Sequence, residues 1–251
     1  MILRNDNILV FGGGSGIGKA IAKRFCDAGA KDLITGRNEE KLKIAAEEIN
    51  SKNIHYKVFD ITNVNEHIVL FNEAAEILSG LNGFVNAAAM GTNLLTGKGY
   101  EPWDITEEEW DTLTDINFKA AFFLIRNETN YMLENDIRGN IFNIASNDAC
   151  MDIIGSYGAS KEAIIKWTRS LGKRYGHNGI IINGIAPGAT FTPMIGYYAH
   201  DINQKYERHA IERFIRPDEI AELAFYLMSD YGEIICGHTV VADGGDNAAT
   251  L

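Results

Sequence analysis

Apolar residues along this chain gather in short runs separated by amphipathic stretches. The runs predict strands near residues 8–11, 32–35, 55–59, 83–87, 140–145, 180–185 and 239–242. Several are apolar almost throughout, as strands buried on both faces are. Between them, apolar positions recur at three- and four-residue steps and predict helices near 16–28, 39–50, 66–78, 107–134, 157–175 and 217–229. In the fifth of these, Ala163, Ile164, Trp167 and Leu171 form a stripe expected to face a sheet. Strict alternation of strand and helix predicts an α/β fold: a seven-stranded, mostly parallel, doubly wound sheet with helices on both faces. No linker or repeat divides residues 1–251, so a single domain is expected. Two segments break the rhythm, 90–110 and 187–207. Long connections in a compact domain are usually functional. Both fall at the carboxyl end of the sheet, where ligands bind in such folds.

Composition narrows the class. The 251 residues are 46% hydrophobic and 23% charged, the balance of a soluble globular protein. No apolar run is long enough to span a bilayer, and residues 1–7 lack the pattern of a signal peptide. The three cysteines, Cys26, Cys150 and Cys236, are widely spaced. They form no zinc pattern and no disulfide framework, so no metal and a reducing cytoplasm are expected. A formal net charge of -11 argues against nucleic acid or an anionic membrane as partner. It leaves room for a phosphorylated cofactor, which needs only a few local cations.

The first predicted strand runs into Gly12-Gly13-Gly14-Ser15-Gly16-Ile17-Gly18. Glycines permit a sharp turn and a close approach of backbone to a pyrophosphate. The following helix offers unpaired N–H groups and a positive dipole end. A flexible strand-to-helix turn is the bland reading. A nucleotide triphosphatase loop is the rival, since residues 13–19 fit G-x-x-x-x-G-K. The next residue should then carry a magnesium-binding hydroxyl, and it is Ala20. The second strand ends Thr35-Gly36-Arg37-Asn38. An acidic residue here would bind a ribose 2′-OH. Gly36 and Arg37 stand instead, and a guanidinium pairs well with a phosphate, which favours NADP over NAD. The alternative is a solvated arginine at a helix start.

Tyr157 and Lys161 stand four residues apart, on one helix face. None of the other nine tyrosines has a lysine at that spacing. Ser146 lies just past the fifth strand, eleven positions earlier. A free phenol titrates near about 10, so a proton shuttle at neutrality needs about 4 kcal/mol of preference for phenolate. One ammonium at about 4 Å supplies that at an effective dielectric near 20. Ser146 read alone is also an ordinary cap for the turn after its strand.

In order and spacing these motifs resemble the single-domain short-chain dehydrogenase/reductase family, most closely 3-oxoacyl-acyl-carrier-protein reductases and related sugar, polyol and hydroxysteroid dehydrogenases. The resemblance covers essentially the whole chain and implies a Rossmann fold. It implies that Gly12, Ser15, Gly16, Ile17 and Gly18 hold the pyrophosphate, with Arg37 and Asn38 at the 2′-phosphate. It implies Asp60 and Ile61 at the adenine, where Asp60 could also cap the next helix, and Asn86, Ala87 and Ala88 beside the ribose. Pro187, Gly188, Thr190 and Thr192 would clasp the nicotinamide amide. By the same resemblance Ser146 binds the substrate oxygen and Tyr157 exchanges its proton. Lys161 also holds the nicotinamide ribose, next to Tyr157, and Asn117 orders a water linking Lys161 to solvent. Asn183 and Asp243-Gly244-Gly245 also fit the family. Four departures stand out: Phe11 for Thr, Gly36 for an acid, Ala87 and Ala89 for Asn and Gly, and a shorter Ser146–Tyr157 spacing.

The expected activity is NADP(H)-dependent reduction of a ketone, or oxidation of a secondary alcohol, on a small-molecule substrate. A catalytically idle NADP-binding regulator and the triphosphatase are the alternatives. The family pairs its two long helices, here those with Asn117 and Tyr157, into homodimers or homotetramers. For the substrate, residues 99–103 are a candidate pocket wall, and Asp148 hints at a polar or amine-bearing compound, with a surface turn as the alternative. His200 and His209 are candidate substrate contacts, with solvated loop histidines as the plainer reading.

Overall fold

The computed structural model describes Leu3 and residues 7–96, 104–151, 155–196 and 201–247. The apolar runs become strands β1 (Asn7–Phe11), β2 (Lys31–Gly36), β3 (Ile54–Val58), β4 (Gly83–Asn86), β5 (Gly139–Ile144), β6 (Ile180–Pro187) and β7 (Thr239–Ala242). They form one sheet in the order β3-β2-β1-β4-β5-β6-β7, and every pairing is parallel. The helices are α1 (Gly16–Asp27), α2 (Glu39–Ile49), α3 (His67–Leu78), α4 (Thr92–Thr96), α5 (Glu107–Thr114), α6 (Ala121–Glu134), α7 (Ser156–Tyr175) and α8 (Pro217–Leu227).

Strand alternation divides the core between the two faces of the sheet. Ile8 and Val10 pack with Ile21, Phe25, Ile34 and Phe225 on the side of α1 and α8. Leu9 and Phe11 pack with Leu33, Phe71, Phe84 and Met132 on the side of α3 and α6. The chain reverses its direction of travel across the sheet after β3, so β1 has β2 on one side and β4 on the other. The loops leaving β1 and β4 therefore part from each other, which opens a cleft at that end of the sheet.

Three local expectations change. The helix expected over 107–134 is broken: α5 passes into a π-helical turn at Asp115–Ala120 before α6. The connection after β4 contains α4, which carries too few residues to show a period. The stripe of α7 that is buried runs through Ser160, Lys161, Ile164, Thr168 and Gly172, one step round from the apolar one. Trp167 instead meets Phe118 and Phe122, each with ring centroids 5.2 Å away. Small and polar side chains let α7 lie close to the sheet; a Cβ on Gly172 would stand 2.5 Å from Gly237. Residues 99–103, Tyr197, Tyr198 and His200 lie outside the described residues.

Candidate active site

The glycine loop is pinned by its own backbone. The N–H groups of Gly12 and Gly13 both donate to the Thr35 carbonyl, at 2.9 and 3.1 Å. Phe11, where a hydroxyl would have tied the loop, is instead fully buried, with Phe59 and Phe71 at centroid distances of 6.5 and 6.4 Å. Gly12 has φ of +78°, and a Cβ there would lie 2.7 Å from the amide nitrogen of Ala88. A Cβ on Gly18 would lie 2.4 Å from the Gly12 carbonyl oxygen. The loop thus packs against the end of β4, and only glycine fits at these two points. On its other side a Cβ on Gly16 would meet the Thr192 methyl at 3.2 Å. The sequence-distant segments 12–18, 87–88 and 190–192 therefore border one cradle at the switch point. Its donors are backbone N–H groups at the start of α1, and its walls are small, which fits a dinucleotide pyrophosphate.

Several individual side chains are committed elsewhere. Asn38 caps α2, its Oδ1 accepting from the Lys41 N–H at 2.9 Å. Asp60 accepts from the N–H and hydroxyl of Thr62 at 2.9 and 2.8 Å. Ile61 is buried in the core. The Asn86 amide nitrogen donates to Glu128 and Asn143, so both of its protons are spent within the protein. Thr190 is buried and its hydroxyl donates to the Gly188 carbonyl at 2.9 Å. Thr192 and Ser15 make no side-chain capping bond. Arg37 is exposed at the end of β2.

Ser146 begins where β5 ends. Its Oγ accepts the Asp148 N–H at 3.2 Å and so caps the 3-10 turn Asn147–Cys150. The cap uses one lone pair and leaves the hydroxyl proton. Lys161 projects from α7 to the same place. Its ammonium donates to the Ile144 carbonyl at 3.0 Å and lies 5.7 Å from the centre of the Tyr157 ring. Lys161 is 2% exposed, and that burial pulls its amine down to about 8. Asn117 lies in the π-helical turn, buried, with its carboxamide accepting from the Met90 N–H at 2.8 Å and donating to the Met90 carbonyl at 2.7 Å. Both ends of its carboxamide are therefore spent on the Met90 backbone.

The burial of two polar residues escaped the sequence reading. Glu128 on α6 is fully buried and bonded to Asn86. Its position in the buried stripe Leu124, Ile125, Tyr131, Met132 was the available signal: a carboxylate where an apolar residue belongs. His209, read as solvated, is fully buried against Ala189. Nothing in its own loop sequence announces that.

A parallel sheet parting over a glycine cradle is the architecture of dinucleotide-dependent enzymes. Comparison with known proteins makes the class specific. A family model described as enoyl-(acyl carrier protein) reductase matches residues 12–247, and the chain belongs to the short-chain dehydrogenase/reductase family of oxidoreductases. It is 30% identical to a 2,5-dichloro-2,5-cyclohexadiene-1,4-diol dehydrogenase of Sphingobium indicum, covering 98% of both chains. It is 28% identical to the 3-oxoacyl-[acyl-carrier-protein] reductase FabG of Aquifex aeolicus, covering 94% of this chain and 95% of that one. Among solved structures, a 3-ketoacyl-(acyl-carrier-protein) reductase from Brucella melitensis complexed with NADH superposes with a TM-score of 0.85 at 25% identity, covering 95% of this chain and 97% of the other. An actinorhodin polyketide ketoreductase with NADPH gives 0.84 at 25% identity, covering 98% of both. Nicotinamide cofactors serve this family. Among the described residues no helix is long and apolar enough to cross a membrane.

Proposed function

We propose that this chain interconverts a ketone and a secondary alcohol with NADP(H), Tyr157 carrying the proton. The observation that supports it is the Lys161 ammonium, buried and 5.7 Å from the Tyr157 ring. A buried unit charge beside that ring favours the phenolate by about 3 kcal/mol, taking about 6 Å and an effective dielectric near 20, or about two pKa units. The Ile144 carbonyl aims the ammonium, and burial keeps water from screening it. Ser146 holds the substrate oxygen through its free hydroxyl proton, and Tyr157 gives or takes the proton at that oxygen. Asn117 keeps the α5–α6 junction against Met90, and a water ordered there would link Lys161 to solvent. The dinucleotide, when bound, supplies or accepts hydride.

The pyrophosphate would lie on Gly12, Ser15, Gly16, Ile17 and Gly18, and the nicotinamide end against Pro187, Gly188, Thr190 and Thr192. Ala87 and Ala88 form the floor, and Asp60 and Ile61 flank the adenine side. Arg37, exposed beside the cradle, is the cation for a 2′-phosphate. The substrate is a small carbonyl compound, as the named relatives' own substrates suggest. We assign the protein to the cytoplasm, as one catalytic domain. Its assembly is a homodimer or homotetramer through α6 and α7, where Phe118 and Phe122 stand exposed beside Trp167.

A panel of carbonyl compounds, followed by loss of NADPH absorbance, identifies the substrate class. The Tyr157→Phe protein should then bind NADPH normally and lose about 10²- to 10⁴-fold in turnover. A Tyr157→Phe protein that turns over at the parent rate removes the proton-transfer role. Absence of NADPH and NADH binding in the parent removes the whole reading.

A further inference from the structure

His209 is fully buried although it comes from a loop. Its Nε2 accepts the Ala189 N–H at 3.2 Å, and its Nδ1 lies 2.8 Å from the Arg213 carbonyl oxygen. A backbone N–H only donates and a carbonyl only accepts, so both contacts are satisfied by a single neutral tautomer, protonated at Nδ1. The ring also lies against Gly188, Gly244 and Tyr206. A Cβ on Gly188 would lie 2.8 Å from Nε2, and one on Gly244 would lie 3.1 Å from Cγ. The Tyr206 ring meets it edge-on at 4.6 Å.

The segment that His209 grips is also held by backbone. Gly188 donates to Ala242 at 3.1 Å. Ile215 donates to the Ala189 carbonyl at 3.1 Å, and Phe191 donates to Ile215 at 2.8 Å. Two side chains complete the clasp: His209 takes the Ala189 N–H, and the Thr190 hydroxyl donates to the Gly188 carbonyl at 2.9 Å. Without the ring, a buried donor would lose its acceptor, and the glycine at 188 would gain room to move.

We propose that His209 is a positioning residue for the nicotinamide end of the cofactor site. It fixes residues 188–189 and locks them to the loop ending at Ile215 and to the turn at Gly244. This assignment rests on the cofactor reading above. It adds a prediction of its own, that losing the ring weakens contact with the nicotinamide half only.

The test compares NADPH with 2′-phospho-ADP-ribose, which lacks the nicotinamide and its ribose, using intrinsic fluorescence to measure binding. His209→Leu should weaken NADPH about five- to tenfold and leave the fragment unchanged. His209→Gln, whose amide offers an acceptor to Ala189 and a donor to Arg213, should restore most of the NADPH affinity. In turnover, His209→Leu should raise the KM for NADPH by a similar factor. If leucine at this buried position does not fold, His209→Asn, polar but too short to span both partners, should show the same split. Equal losses for both ligands, or no loss for NADPH, overturn the proposal. A parent protein that binds the fragment and not NADPH would reject the nicotinamide reading itself, and His209's role with it.

Discussion

Asn86 donates its side-chain amide to Glu128 at 2.9 Å and to Asn143 at 2.8 Å, tying the end of β4 to a fully buried carboxyl. The Asn86 Oδ1 and the Glu128 Oε1 find no hydrogen-bond partner among the described residues. Asn143 carries the chain of bonds on to the Thr168 hydroxyl of α7 at 2.9 Å. Beside them a small cavity is lined mainly by apolar side chains, among them Ile61, Leu124 and Ile164, with Asn86 and Asn143 as its polar residues.

Burial pushes the Glu128 carboxyl up to about 8, against the smaller opposing effect of the Asn86 bond. An unfolded chain releases this proton near about 4.3. Between those values the folded protein holds a proton that the unfolded one gives up, so stability falls as pH rises through the window. Glu128→Gln should remove that slope, which is at most about 1.4 kcal/mol per pH unit. Urea unfolding of both proteins from pH 5 to pH 8 checks it. Parallel stability curves would mean the carboxyl is not held neutral.

Lys161→Met should cost more at neutral than at alkaline pH when alcohol oxidation is measured. The base in that direction is a phenolate, and an unassisted phenol reaches it only near about 10. With about 3 kcal/mol removed, the rate should fall about 100-fold near neutrality, and the gap should narrow above pH 9. A pH-independent ratio between the two proteins would show that the ammonium does not lower the phenol.

Arg37→Ala should weaken NADPH about 10- to 100-fold through loss of charge-assisted hydrogen bonds, with NADH affected little. Titration of each dinucleotide measures the two constants. Equal losses would place Arg37 away from the 2′-phosphate.

Two neighbouring glycines should behave oppositely. Gly18→Ala drives a methyl to within 2.4 Å of a carbonyl that is part of the loop, so NADPH binding and thermal stability should both fall. Gly14→Ala meets nothing nearer than 3.5 Å, from Leu42, and should leave both within about twofold and a few degrees of the parent. Thermal unfolding with and without NADPH separates the two cases.

The sequence by itself determined the strands, most of the helices, the all but continuous strand–helix alternation, and the places of the glycine loop, Ser146, Tyr157 and Lys161. Those features are local: periodicity and spacing are written in neighbouring residues. Only the tertiary structure decided that Ser146 caps the turn after β5, that Asn117 spends its amide on Met90, and that Asn38 caps α2. It also decided that His209 lies inside and that the Glu128 carboxyl is buried against Asn86, 42 residues away. A polar side chain takes whichever partner packing brings within reach, and for these residues packing sets the environment. Spacing along the chain placed Tyr157 and Lys161 on one face; the Ile144 carbonyl, reached only when α7 lies on β5, aims the ammonium.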